Sequence, residues 1–126
     1  MFDTDRAVTV LCDATSAMRA TELFIGSEKD NWPALRIVPM TAFEAGLQVE
    51  GLVKGLVERD KQGIGSGSLS GSEVEAVLWS ANELIAHFLA LKHFLSRVGA
   101  SDVAQIIARN DLATADLRSL TLLLGR

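Results

Sequence analysis

Residues 72–98 read SEVEAVLWSANELIAHFLALKHFLSRV, and the fold is decided by how this stretch is read. Ser72-Glu73-Val74-Glu75 has the form of a capping box, in which a hydroxyl and a carboxylate satisfy two of a helix's free amides. Acids in a first turn also oppose the positive end of the helix dipole. Gly99 follows the stretch, where a residue free to turn left-handed commonly ends a helix. The spacing predicts one helix over 73–98, roughly 39 Å long. Val74, Leu78, Ala81, Ile85, Phe88, Lys92 and Leu95 recur at alternating steps of four and three, a heptad seam turned toward other helices. Lys92 is its one misfit, with Leu91 beside it to take over the packing.

A second stripe lies across the helix from that seam: Trp79, Glu83, Ala86, Ala90, Phe94 and Arg97. It reads in three ways. The helix is packed on both sides inside its own subunit, the stripe is a partner face, or it borders a small-molecule pocket. In the second reading Ala86 and Ala90 let another helix come close, and Trp79, Phe94 and Arg97 anchor it, since aromatics and Arg are enriched at interface hot spots. The partner expected is a second copy of the chain, with another protein as the alternative.

The remaining chain supplies companions for this helix. The 126 residues suit one domain with a hydrophobic core. Apolar residues are 48% but aromatics only 6%, without Tyr, so the core must be aliphatic. Thr4 to Ile25 keeps a four-three rhythm through Ala7, Leu11, Ala14, Met18 and Thr21, with Asp3 or Thr4 as cap and Gly26 as stop. Val8, Thr9 and Val10 favour extended backbone, so a short strand at 7–12 is the rival. Thr41-Ala42-Phe43-Glu44 is a second capping box opening a helix over 42–61, whose inner seam is Gly46, Val49, Val53 and Leu56. Gly51 and Gly55, four apart, suggest a close helix crossing. Ser101 caps a last helix over 102–124, patterned by Val103, Ile106, Asn110, Ala113, Leu117, Leu120 and Leu124. This helix is either continuous or broken at Asn110-Asp111. A polar residue such as Asn110 on a seam can fix register. The architecture predicted is all-α, a four-helix bundle with helices at 4–25, 42–61, 73–98 and 102–124, and the last two form an antiparallel hairpin.

The joints are informative mainly by exclusion. Residues 26–41 form an irregular loop, long enough to need local structure or a function. Asn31-Trp32-Pro33 can cap a helical turn there, with Trp32 closing over the bundle. Residues 62–71 are rich in Gly and Ser. They lack the Lys of a phosphate loop and the third Gly of a dinucleotide fingerprint, so they read as a linker.

No reaction is named by any motif. Glu83 and His87 are four apart and could share a metal, but di-iron bundles use a spacing of three on two helices, and both His of this chain lie on one helix. His93, six residues from His87, points elsewhere. No metal and no cofactor is predicted. Cys12 is the only cysteine. It excludes an internal disulfide and reads as a small buried filler. The formal charge of −4 argues against nucleic acid and anionic membranes as partners. Residues 103–120 have some helix-turn-helix patterning but lack the turn Gly and basic contacts. No secretory signal or membrane span is read, which leaves a protein of the cytoplasm. The function expected is a homodimeric interaction protein rather than an enzyme. The alternative is a small-molecule binder or enzyme with a pocket near Trp32, Glu83 and His87, and the third reading is a DNA-binding regulator.

Overall fold

The computed structural model describes residues 3–61, 68–99 and 101–125. Among them are five α-helices and no β-strand: α1 (Thr4–Glu28), α2 (Pro33–Arg36), α3 (Thr41–Lys61), α4 (Gly71–Leu95) and α5 (Asp102–Leu124). The chain is all-α. The extended alternative for residues 7–12 does not occur, because they lie inside α1.

The long helices pack in a ring. α1 lies against α3 and α5, and α4 lies against the same two from the other side. Neighbours run antiparallel. Thr4 opens α1 and meets Arg59 near the end of α3, while Arg19 further along α1 pairs with Glu50. Lys92 near the end of α4 pairs with Asp111 of α5, and Thr21 late in α1 meets Asn110 of α5. The core is aliphatic as the composition requires, with Leu11, Leu35, Val49, Val77, Leu84, Leu91, Leu95, Leu117 and Leu120 fully enclosed around Phe88.

α4 is rotated relative to the predicted seam. Its buried residues are Val77, Ser80, Ala81, Leu84, Phe88, Leu91 and Leu95. Ala81, Phe88 and Leu95 were expected there. Val74, Leu78 and Ile85 are only half-buried, and Lys92 is exposed. Both seams have the same four-three spacing and differ by about half a residue's rotation. Lys92 decides between them, because an inward ammonium without a partner would be strongly unfavourable. Turned outward, it reaches the Asp111 carboxylate at 3.0 Å.

The helix ends also differ from the sequence reading. The capping box on α4 uses Ser70 and Glu73 rather than Ser72 and Glu75: Glu73 N donates to Ser70 Oγ, and Ser70 N donates to Glu73 Oε1. Two Ser-x-x-Glu boxes overlap in this sequence, and the earlier one starts the helix two residues sooner. α4 stops at Leu95, where the Ser96, Arg97 and Val98 amides bond back to the last turn. α1 runs through Gly26 to Glu28. The Met40 carbonyl accepts from both Phe43 and Glu44, so Thr41 is already helical and does not cap α3. Ser101 precedes α5, but its own backbone is helical and its hydroxyl makes no cap bond. α5 is continuous through Asn110-Asp111, and a helix-turn-helix spacing is therefore not present.

The loop 26–41 contains α2, with Pro33 in its first turn after Trp32 as foreseen. Arg36 holds the loop by donating to the Lys29 and Asp30 carbonyls. Gly51 and Gly55 do not mark a helix crossing: both are exposed, and nothing lies within 4 Å of where a Cβ would stand. The close approach occurs at buried Gly46, where Met18 Cγ sits 3.3 Å from that position. Cys12 is half-buried against the core rather than enclosed by it.

Most of the predicted linker, residues 62–67, lies outside the described residues. Ser68 to Gly71 is ordered around Arg59. Its guanidinium donates to the Ser68 carbonyl and the buried Thr4 hydroxyl, each at 2.9 Å, and its Nε stands 2.9 Å from Glu73 Oε2. One side chain thus joins the ends of α1, α3 and α4. At the surface, Arg19 hydrogen-bonds Glu50 through both carboxylate oxygens. Those bonds and the Glu50 charge push the Arg19 pKa further up.

Candidate functional site

The second stripe of α4 lies outside the subunit core. Trp79 is 57% exposed, and Ala86, Ala90 and Arg97 are exposed beside it. The reading in which α4 is packed on both sides within its subunit is therefore corrected: α4 is covered on one side only. This follows from the ring packing: α3 and α5 flank α4, α1 and α2 touch it, and the stripe stays exposed among the described residues. Glu83 and Phe94 are half-buried at the margin of the stripe, and Phe94 packs on the core.

Two residues join the stripe that the sequence reading left out. Leu89 is 48% exposed. His93 is exposed on the same face, and its Nε2 lies 3.1 Å from Arg97 Nη2. A guanidinium can only donate, so Nε2 accepts, and in this contact the ring proton is on Nδ1. The His93 ring also meets the Phe94 ring edge-on at 5.8 Å. The signal was in the spacing: Trp79, Ala86 and His93 are seven apart, as are Glu83, Ala90 and Arg97. The surface is apolar along its middle, with Glu83 toward one end and His93 and Arg97 at the other.

The residues proposed for a pocket do not come together. Glu83 and His87 face each other at 3.6 Å along α4, as an i,i+4 contact. Trp32 packs instead on Gly99, with its ring 3.6 Å from where a Cβ would be. That is beyond the far end of α4, roughly 18 Å along the helix from Glu83. The larger clefts lie between α1 and α5 and at the α1–α2–α3 end, and none is lined by Trp32, Glu83 or His87. No cluster of three His, Cys, Asp or Glu suited to a metal occurs among the described residues.

The chemistry available on this face is contact: an exposed indole, a leucine, two alanines that permit close approach, and charges of both signs. Compared with protein-family models, with characterised proteins and with solved structures, the chain matches none.

Proposed function

We propose that this chain is an interaction module, a four-helix bundle that pairs with a second copy of itself through the outer face of α4. One observation carries the reading. The most apolar window of α4 has a mean hydropathy of 1.3, enough by length and composition to cross a membrane, yet only 33% of it is buried within the subunit. Apolar surface left in water favours association. The inner side of the same helix is occupied by the protein core, which leaves the outer side for a partner.

The charge pattern favours an antiparallel pair. With a two-fold axis at Phe88, residues equidistant from it meet. Ala86 then faces the partner's Ala90, Glu83 faces the partner's His93, and Trp79 faces the partner's Arg97. The first contact lets the backbones approach, the second matches an acid to a base, and the third sets a guanidinium over an indole. Leu89 lies one position past the axis and packs on its own copy. A parallel pair would place Glu83 on Glu83 and Arg97 on Arg97, both repulsive.

The test is molecular mass by light scattering at low micromolar concentration. The expected result is twice the 13.5 kDa of one chain. Ala90→Arg should give the single-chain mass with unchanged helical circular dichroism. A wild-type protein at single-chain mass overturns the proposal, as does an Ala90→Arg variant that still pairs at that concentration.

A further inference from the structure

α5 has an uncovered face of its own. Gln105, Ala108, Leu112, Ala115, Ser119 and Leu122 follow a three-four spacing, all are exposed, and none is charged. Leu112 and Leu122 are 69% and 67% exposed, the degree of exposure that usually marks a contact when apolar residues line up along a helix. Charges border this face in two rows. Arg109 and Asp116 stand on the side toward α1, lining one cleft with Asp13 and Ala17. Asp111 and Arg118 stand on the other edge, where Asp111 meets Lys92 of α4. At seven-residue steps the α1-side row runs Asp102, Arg109, Asp116 and the other row runs Asp111, Arg118, so Arg109–Asp116 and Asp111–Arg118 stand in opposite order. Among the described residues, Arg109, Asp116 and Arg118 make no ion pair within the chain.

We propose that this face binds the same face of a second copy, antiparallel, about a two-fold axis between Ala113 and Thr114. Leu112 then packs on the partner's Ala115, Ala108 on the partner's Ser119, and Leu122 on the partner's Gln105. In an antiparallel helix pair each flank meets the same flank of its partner. Arg109 therefore lands beside the partner's Asp116, and Arg118 beside the partner's Asp111. Symmetry repeats both, so four opposite-charge contacts border the seam. The exposed Asp111 carboxylate has two oxygens and can accept from Lys92 and from the partner's Arg118 together.

The charges also specify the register. A slip of one heptad in one direction sets Asp116 on the partner's Asp116 and Arg118 on the partner's Arg118. A slip the other way sets Arg109 on the partner's Arg109 and Asp111 on the partner's Asp111. A parallel pair sets Asp111 against the partner's Asp116. Only the antiparallel register centred at 113–114 brings opposite charges together in both rows. Repulsion in the alternatives is how helix pairs usually select one arrangement.

This seam uses residues separate from those of α4 and does not rest on that reading. With only two large side chains it is the weaker contact, and it appears at higher concentration. A chain using both faces is joined to two neighbours, and pairs formed through α4 then associate further.

Sedimentation velocity from low micromolar to millimolar concentration tests this, with Ala90→Arg as the background that removes the α4 contact. That variant should still pair at millimolar concentration. Adding Arg109→Glu should weaken the pairing at least about tenfold, since it reverses two symmetry-related contacts. Adding Asp116→Arg as well should restore it to within about twofold, because a full exchange of the charges recreates complementarity. Independently, Ala108→Cys with Ser119→Cys, in a Cys12→Ser background, should oxidise to covalent dimers. An Ala90→Arg variant that stays single at millimolar concentration overturns the inference and leaves the α4 proposal standing. A charge exchange that fails to restore pairing also overturns it. Association lost in Arg109→Glu but unchanged in Ala90→Arg supports this seam and overturns the one on α4.

Discussion

Asn110 of α5 donates its side-chain amide to the Thr21 hydroxyl of α1 across 3.0 Å, and both residues are buried. The Thr21 hydroxyl is also 2.9 Å from the Ala17 carbonyl, to which it can donate. The pair joins the first and last long helices at one height. The two partners are unequal. Replacing Thr21 by Val strands a buried amide, whereas replacing Asn110 by Ala leaves Thr21 its bond to Ala17. Thr21→Val should therefore cost about 2–3 kcal/mol and Asn110→Ala about 1–2 kcal/mol. The double change Thr21→Val with Asn110→Leu, which removes both polar groups, should return to within about 1 kcal/mol of wild type. Urea unfolding measures all three. A Thr21→Val variant milder than Asn110→Ala would show that Asn110 does not depend on Thr21.

The glycines of α3 separate packing from propensity. Gly51 and Gly55 are exposed with open space around them, so alanine at either should stabilise by about 0.5–1 kcal/mol through helix propensity alone. Gly46 has the same propensity to gain, but its new methyl would stand 3.3 Å from Met18 Cγ. Met is flexible enough to give way slightly, so Gly46→Ala should gain less than either of the others. Gly46→Leu should cost about 1–3 kcal/mol by overpacking. Unfolding midpoints of the four variants give the order, and a Gly46→Ala that outranks Gly51→Ala contradicts the close α1–α3 contact.

These two cases mark what could be read from the sequence. The helical character of the four long segments was legible because a 3.6-residue apolar period persists through each, and Asn110 stood out as the polar break in one of them. Facing was less legible. On α4 the seams through Val77 and through Leu78 share three residues, and only the location of an acceptor for Lys92, Asp111 on another helix, separates them. For the glycines the local pattern misled. Gly-x-x-x-Gly spacing says that a backbone could approach, but whether one does depends on which face turns inward, and the seam through Val49 and Val53 turns Gly51 and Gly55 to water. The stripe from Trp79 to Arg97 was legible as one face of α4. Its exposure was not, because exposure depends on where α3 and α5 lie.

The start of α4 gives a direct comparison of two serines. Ser70 accepts from the Glu73 amide while the Glu73 carboxylate takes the Ser70 amide at 2.8 Å. Ser72, two residues on, lies inside the helix. Ser70→Ala should cost about 1 kcal/mol, and Ser72→Ala should be neutral or slightly stabilising, since alanine is the better helix former. Equal effects in thermal unfolding would mean that the box is shared between the two registers.

Arg59 serves three helix ends at once, so its loss should exceed that of an ordinary surface cation. Arg59→Met keeps most of the stem but removes the contacts to Thr4, Ser68 and Glu73, and should cost about 2–3 kcal/mol. Arg59→Lys should recover less than half of that, because one ammonium cannot reproduce a planar fork directed at separate acceptors. By contrast Lys92→Met breaks only an exposed pair and should cost less than about 1 kcal/mol. Chemical denaturation ranks the three, and an Arg59→Lys variant as stable as wild type would reduce the role of Arg59 to charge alone.

The orientation of the α4 pair can be tested separately from its existence. In the antiparallel arrangement Trp79 of each chain meets the partner's Arg97, so the two side chains should be coupled even though they sit 18 positions apart in sequence. Trp79→Ala should weaken self-association by about 2 kcal/mol, the scale of an interfacial aromatic anchor. Arg97→Ala alone should cost about 1 kcal/mol, and the double variant should cost less than the sum by about 0.5–1 kcal/mol, the size of a cation–π contact. Dilution calorimetry on the four proteins closes the cycle. Within one subunit the pair lies too far apart along α4 to touch, since 16 residues already span roughly 24 Å of helix. Coupling would therefore have to pass between chains. Strict additivity, with each single variant still weakening the dimer, would keep the surface but reverse or shift the register.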